Sequence, residues 1–339
     1  MRKKVGLNIR KNKPASSKQH FSLVKRNQKR QRLIQIAGVF VIICAIVLTG
    51  YGVYDSQYKP WRENALTIND TSLTMRQYVA RARYTLQTQG ITDPGKYSDL
   101  ASLLPDITDM IVNNELMSQA ASEYGITITD EQITEQIKKE VMPESETEEA
   151  ATEDFDNLYK EQLKQYNMTD EEYRLMTRIQ LINTTLVQDY LNKEVADTAP
   201  QVHVNIITVA TEEEATEIKQ RLDDGEDFAT VAMEKSLDST AESGGDLGWY
   251  AYDALSKDYA DVIFNLAVGE ISEPVANSNA TSYYIFKVSE KEESRTLDET
   301  NLTLVQAKYV ESWLKQRIYS SAINYNFTTD KYAWVAEHI

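Results

Sequence analysis

The sequence predicts an α+β fold: a single transmembrane helix, a mostly helical domain, and an inserted domain with an antiparallel sheet flanked by helices. Three observations predict it. Leu33 to Tyr54 is a run of 22 uncharged residues in which only Gln35 and Thr49 are clearly polar. Residues 64–199 carry repeated helix starts and apolar steps of three and four. Beyond Pro200 the pattern turns to short β-branched runs around Gly244-Gly245-Asp246-Leu247-Gly248. Three glycines so close exclude a helix interior, because each costs about 1 kcal/mol there relative to alanine. The 339 residues therefore divide into a basic tail (1–32), the span (33–54), a juxtamembrane linker (55–63), a helical domain (64–199), an α/β domain (200–290) and a helical return (291–339).

The tail, read first, is strongly basic. Residues 1–32 hold 12 of the 36 Lys and Arg and no acid, and the first acid is Asp55. The other 307 residues keep 36 − 12 = 24 bases against 52 acids, a net charge of −28. At 1.5 Å per residue the uncharged run reaches ~33 Å, enough for a bilayer core. Tyr51, Tyr54, Tyr58 and Trp61 follow as an interfacial aromatic belt. A cleaved signal would have a shorter apolar region ending in a small-residue site. A lipoprotein signal would need a small residue before its cysteine, whereas Cys44 follows Ile43. The run therefore reads as an uncleaved anchor, with the N-terminus cytoplasmic and residues 55–339 outside. The position of the basic tail against the membrane points to topology and anionic lipid rather than nucleic acid. The one cysteine lies within the span, so the exported part has neither disulfide nor thiol chemistry.

In the helical domain, Ala65 to Thr74 alternates around Asn69-Asp70, predicting a hairpin that runs straight into a helix at Thr74. Ser98 to Tyr124 predicts a helix pair interrupted at Pro105 and ended by Gly125. Thr129 with Gln132 and Thr169 with Glu172 are capping boxes. Leu175, Ile179, Ile182, Leu186 and Tyr190 make one apolar stripe, read as ordinary core. Pro143 to Asp156 holds seven acids and is read as a solvated loop. It lacks the glycine turn and ligand spacing of a calcium loop.

Thr198-Ala199-Pro200 marks the next boundary. Strand Val202–Val209, helices Glu212–Leu222 and Phe228–Lys235, the glycine turn, helix Lys257–Leu266, and strands near Ile271–Val275 and Ser282–Val288 follow. Leu302 to Tyr319 resumes helical period, with Val305, Tyr309, Trp313 and Leu314 apolar.

Four blocks then resemble a known family. Gly225-Glu226-Asp227-Phe228, Ser236-Leu237-Asp238, Gly244 to Trp249, and Gly269-Glu270-Ile271-Ser272-Glu273-Pro274-Val275 stand in the order and spacing of the parvulin (PpiC-type) peptidyl-prolyl isomerase domain. The hairpin leading into a helix, and the helical return, resemble SurA/PrsA-type proteins, whose isomerase domain is inserted between helices of a chaperone domain. Asn324–Ile339 falls outside the resemblance.

The resemblance implies isomerisation of X-Pro bonds without cofactor or metal. The uncatalysed barrier is ~18–20 kcal/mol. An apolar pocket holds the proline ring while polar groups in a partly dry site favour the twisted amide. By alignment the pocket residues are Leu255 and Tyr259, and the polar residues are Asp238, Tyr284 and Thr281. Both usual histidine positions are replaced, by Ile206 and Tyr284. His203 lies an odd number of residues from Ile206 and so faces the other side of a strand. Two readings follow: an isomerase in which a tyrosine hydroxyl stands in for imidazole, or a degenerate domain serving a chaperone without turnover. A passive scaffold is a third. The implied partners are unfolded or partly folded exported polypeptides, with lipid around the span and no nucleic acid; oligomeric state is left open. Three histidines in all, His20, His203 and His338, cannot build a histidine-rich metal site. Nucleotide-loop, dinucleotide and serine-hydrolase glycine motifs are missing from the sequence.

Overall fold

A computed structural model describes residues 39–91, 100–142 and 151–339. The basic tail and positions 33–38 of the expected span lie outside the described residues. Contacts divide the chain into two units, one reaching Asn64 and including Thr74–Arg76, the other formed by Ala65–Leu73 and Gln77–Ile339.

In the first unit, α1 (39–53) continues through a π-helical turn, Tyr54–Tyr58, into the short α2 (Lys59–Arg62). The juxtamembrane residues are thus largely helical rather than a linker. Pro60 in the first turn of α2 needs no N–H partner. Lys59 Nζ reaches back to Asp55 Oδ1 at 2.8 Å. Among the described residues, no helix is long and apolar enough to cross a membrane. The described part of the expected span stops short of the ~20 residues a bilayer requires. Its apolar side chains, including Phe40 at 65% and Leu48 at 71%, are nonetheless exposed.

The second unit opens with the expected hairpin, β1 (Asn64–Ile68) and β2 (Thr71–Thr74), turning at Asn69 with φ 52°. Helix α3 (Met75–Thr88) follows at once. Helix α4 (Leu100–Ala120) runs unbroken through Pro105, where an interruption was expected. The proline sits near the described start, and Leu104, Ile107, Ile111 and Leu116 are all buried, so packing outweighs the lost backbone bond. Gly125 closes the following turn at φ 67°.

Both capping boxes form, at the starts of α5 (Asp130–Val141) and α7 (Asp170–Thr185). Between them α6 (Ala151–Gln165) takes up the end of the expected acidic loop; positions 143–150 lie outside the described residues. The apolar stripe is displaced from the expected one. Leu175 is 40% exposed, whereas Tyr173, Met176 and Ile179 are buried. A π-helical turn at Leu186–Tyr190 then changes the phase, so that Leu186 and Leu191 are buried together. Ile128, Ile133, Ile137 and Met168 complete this core, with Tyr84, Tyr159 and Tyr166 packed against it.

The end of the chain, unexplained by sequence, finishes the helical domain. β7 (Ile323–Tyr325) pairs antiparallel with β1, Leu66 opposite Tyr325 and Ile68 opposite Ile323. The sheet order is β2-β1-β7. Phe327 packs on Tyr78 with ring centroids 4.6 Å apart. The last helix, α12 (Thr329–His338), lies against α4.

The inserted domain begins with β3 (Thr198–Val209), so the expected boundary at Pro200 lies inside a strand. The pairing shifts between Ala199 and Gln201, which accommodates the missing proline N–H. A four-stranded antiparallel sheet follows in the order β4-β3-β6-β5, with β4 Asp246–Ala251, β5 Val275–Ala276 and β6 Tyr283–Thr296. β6 runs past the expected boundary at 290. Helices α8 (Glu212–Asp223) and α9 (Phe228–Lys235) cover one face. Helix α10 (Lys257–Asn265) covers the other. Helix α11 (Glu299–Ser320) then joins the two domains. Its Asn301 accepts from Ala251 N–H and donates to the Trp249 carbonyl of β4, while Trp313 and Leu314 pack with Leu186 and Leu191.

Candidate functional site

The glycine turn places the site. Gly244 and Gly245 have φ of 69° and 77°, values that favour glycine. A Cβ on Gly245 would sit 2.2 Å from the Ile206 carbonyl oxygen. Ile206 N–H in turn donates to the Gly245 carbonyl at 2.8 Å. Side-chain-free backbone is therefore what lets the turn close onto β3 at Ile206.

Alternation along the strands does the rest. In the β3–β6 register Ile206 lies opposite Phe286 and Thr208 opposite Tyr284. Ile206 and Phe286 are buried with Ile263 and Leu266 of α10, and Leu255, Tyr259 and Tyr284 pack partly buried against them. Tyr259 meets Tyr284 edge-on at 5.3 Å and Phe286 at 5.9 Å, while Tyr284 and Phe286 are 6.1 Å apart and nearly parallel. These are attractive aromatic geometries. Burial, with the Tyr284 phenol beside it, raises the Tyr259 phenol above its ordinary range. Tyr259 thus remains an O–H donor at neutral pH.

Of the five expected site residues, Leu255, Tyr259 and Tyr284 come together, and Ile206 joins them. Asp238 and Thr281 are engaged locally instead. Asp238 Oδ1 accepts from Thr240 N–H at 2.9 Å and from Thr240 Oγ1 at 2.6 Å. Thr281 Oγ1 donates to Asn279 Oδ1 at 2.9 Å, in an exposed turn. No hydrogen bond among the described residues joins either side chain to the tyrosines. His203 lies apart from the cluster, its Nδ1 2.8 Å from Ser289 Oγ and its ring against Trp249.

Thr208 is the residue that motif comparison missed. Its Oγ1 is buried without a partner. Its N–H donates to Ser236 Oγ at 3.1 Å, and its carbonyl accepts from Leu237 N–H at 2.7 Å. Ser236 Oγ also accepts from Asp238 N–H at 3.2 Å, which ties the Asp238 loop to β3. The sequence signal was there: Thr208 is two residues from Ile206, hence on the same face. Among the described residues, no cluster of three or more His, Cys, Asp or Glu side chains is placed to hold a metal. Chemically, the arrangement offers an apolar and aromatic shelf with neutral hydroxyl donors at its edge.

Matches to known proteins follow the same two regions. The PPIC-type PPIASE domain family matches residues 203–290, and the SurA-like N-terminal domain family matches residues 21–187. Foldase protein PrsA of Caldanaerobacter subterraneus subsp. tengcongensis is 31% identical over 200 residues, covering 59% of this chain and 60% of that protein. Foldase protein PrsA of Clostridium tetani is 32% identical over 189 residues, 47% of this chain and 55% of that one. The chain therefore spans less than two thirds of either relative. A crystal structure of peptidylprolyl isomerase (PrsA) from Bacillus anthracis aligns with TM-score 0.41 at 21% identity, covering 62% of this chain and 94% of that chain.

Proposed function

Because the chain belongs to the PrsA/SurA-like foldases, with a SurA-like N-terminal domain and a PPIC-type domain, we propose that it isomerises X-Pro bonds in unfolded exported polypeptides while its helical domain holds the client. The observation that carries the isomerase reading is the meeting of Leu255, Tyr259, Tyr284 and Phe286 on one sheet face. The aromatic shelf takes the proline ring. A phenol O–H donates to the amide as it twists, an interaction stronger in the twisted state than in either planar one. The missing imidazoles are replaced by neutral donors, so no proton need change hands.

Exchange of a short X-Pro peptide by NMR, with the full chain as catalyst, tests this. Acceleration by wild type that Tyr259→Ala removes supports the proposal. A flat exchange rate, at concentrations where the protein still suppresses client aggregation, leaves the second reading: a chaperone with a degenerate isomerase domain. That reading draws on Asp238 being committed to Thr240, and on Ile206 and Tyr284 standing where the family's histidines do.

The reading extends to location: an anchor over residues 33–54, a cytoplasmic N-terminus, and residues 55–339 outside the cell membrane. It is supported by the basic tail and by the exposed apolar side chains of α1, Val39, Phe40, Ile42 and Leu48 among them. Alkaline extraction of membranes tests the anchor, since release into the soluble fraction would refute it. Protease treatment of intact cells tests the orientation, which predicts digestion of residues 55–339 and protection of the tail.

A further inference from the structure

We propose that the helical domain carries a second binding site, a cavity that takes one large apolar side chain of a neutral peptide segment and the amide beside it. The proposal rests on the reading of the chain as a foldase for unfolded polypeptides. The cavity is about 580 Å³ and is walled by α3, α4, α5, α6 and α7. That falls within the ~300–1,000 Å³ common for ligand pockets. Ile111, Met176 and Ile179 give it an apolar lining, and Tyr84 and Tyr173 add ring surface.

Two polar atoms on the wall call for a ligand. Arg81 is only 8% exposed, and its Nη1 lies 2.7 Å from Glu115 Oε2, yet its Nε donor has no partner. Asn183 Nδ2 donates to Asn114 Oδ1 at 3.0 Å, which leaves Asn183 Oδ1 buried without a donor. Buried polar groups rarely stay unmatched. A lone donor and a lone acceptor on one cavity are complementary to an amide, which brings one of each. The neighbouring hydroxyls are already matched: Tyr84 donates to Gln180 Oε1 at 2.7 Å and Tyr173 to Glu140 Oε2 at 3.0 Å.

Charge selects against an anion. The Arg81 guanidinium is offset by Glu115, and the Glu140 carboxylate stands on the cavity wall. A peptide carboxylate would therefore meet a net negative site, whereas a carboxamide meets its two missing partners.

The test uses the full chain with 13C-labelled Met and Ile methyl groups, titrated with N-acetylphenylalaninamide and separately with N-acetylphenylalanine. Saturable shifts at Met176, Ile111 and Ile179 are expected with the amide, and at least tenfold weaker binding with the carboxylate. Asn183→Leu should weaken the amide at least tenfold. Thr184→Trp, at the exposed rim, should block entry while the core methyls of Ile133 and Ile137 stay in place. Absent shifts, equal affinity for the carboxylate, or unchanged binding by both variants would overturn the proposal. X-Pro exchange on the same samples separates the two readings. Its loss with these shifts intact removes the isomerase alone, and loss of the shifts with exchange intact removes this cavity alone.

Discussion

The two faces of the four-stranded sheet are built from alternate residues of the same strands, yet they finish differently. On the face toward α8 and α9, Ile207, Val209 and Ile285 meet Ile218, Leu222, Phe228 and Val231, none more than 5% exposed. On the face toward α10, Ile206 and Phe286 are buried, but Leu255, Tyr259 and Tyr284 remain partly open. That face also holds the unmatched Thr208 hydroxyl. Two helices close the first face; one nine-residue helix covers the second incompletely. The difference separates two tasks by a single residue step along a strand. Ile207 holds the domain together, and Ile206 and Thr208 on either side of it border the site.

Four substitutions would break or sharpen this contrast. The largest effect is expected of Gly245→Ala, which combines a left-handed φ with a Cβ driven into the Ile206 carbonyl. It should destabilise the domain by on the order of 3–5 kcal/mol. A urea midpoint close to wild type would show that the turn does not need to approach β3 so tightly. Next, Ile207→Ala should cost about 2–4 kcal/mol through the cavity it leaves. Under conditions where it is folded it should accelerate X-Pro exchange as wild type does. A folded variant that lost exchange would mean the packed face also shapes the site.

Tyr259→Phe acts the opposite way. It keeps the ring packing and should leave the unfolding midpoint within about 1 kcal/mol, yet slow exchange roughly tenfold, about 1.4 kcal/mol of barrier. Full activity would reduce Tyr259 to an apolar wall. The smallest effect is expected of Thr208→Val. Removing an unmatched buried hydroxyl should leave stability unchanged or raise it by about 1 kcal/mol. Exchange slowed several-fold would bring Thr208 into the site. Unchanged exchange would make its hydroxyl a defect without a role.

Features held by local chemistry were legible in the sequence. Thr129 and Thr169 cap helices because the partner, Gln132 or Glu172, is three residues away. The glycine turn was legible for the same reason, and the spacing of Ile206, Tyr259 and Tyr284 identified three residues that do meet. What escaped depends on distant partners. Ile323–Tyr325 is too short to announce a strand, and its mate lies more than 250 residues earlier, as the Leu66–Tyr325 pairing shows. Pro105 reads as a break until the buried face of α4 is seen to outweigh it. Leu175 was assigned to the core on period alone, which cannot register the π turn that alters the helix's phase. Asp238 and Thr281 fit the family pattern, but sequence could not show that Thr240 and Asn279 occupy them.

The pairing of β7 with β1 bears on the order in which the molecule can assemble. A chain that leaves the ribosome and then crosses a membrane is delivered from its N-terminus, so β1 and β2 emerge early and wait. The strand that completes their sheet arrives only when Ile323–Tyr325 does, after the isomerase domain has been delivered whole. Closing so long a loop carries an entropic cost that grows slowly with length, and the intervening domain, folded first, shortens it. Until then Leu66 and Ile68 present an unpaired edge to any passing strand. Chains arrested before residue 323 should show this as protease sensitivity around β1, with the isomerase domain already resistant. The foldase would then spend its own last moments of synthesis in the condition it is proposed to relieve in others.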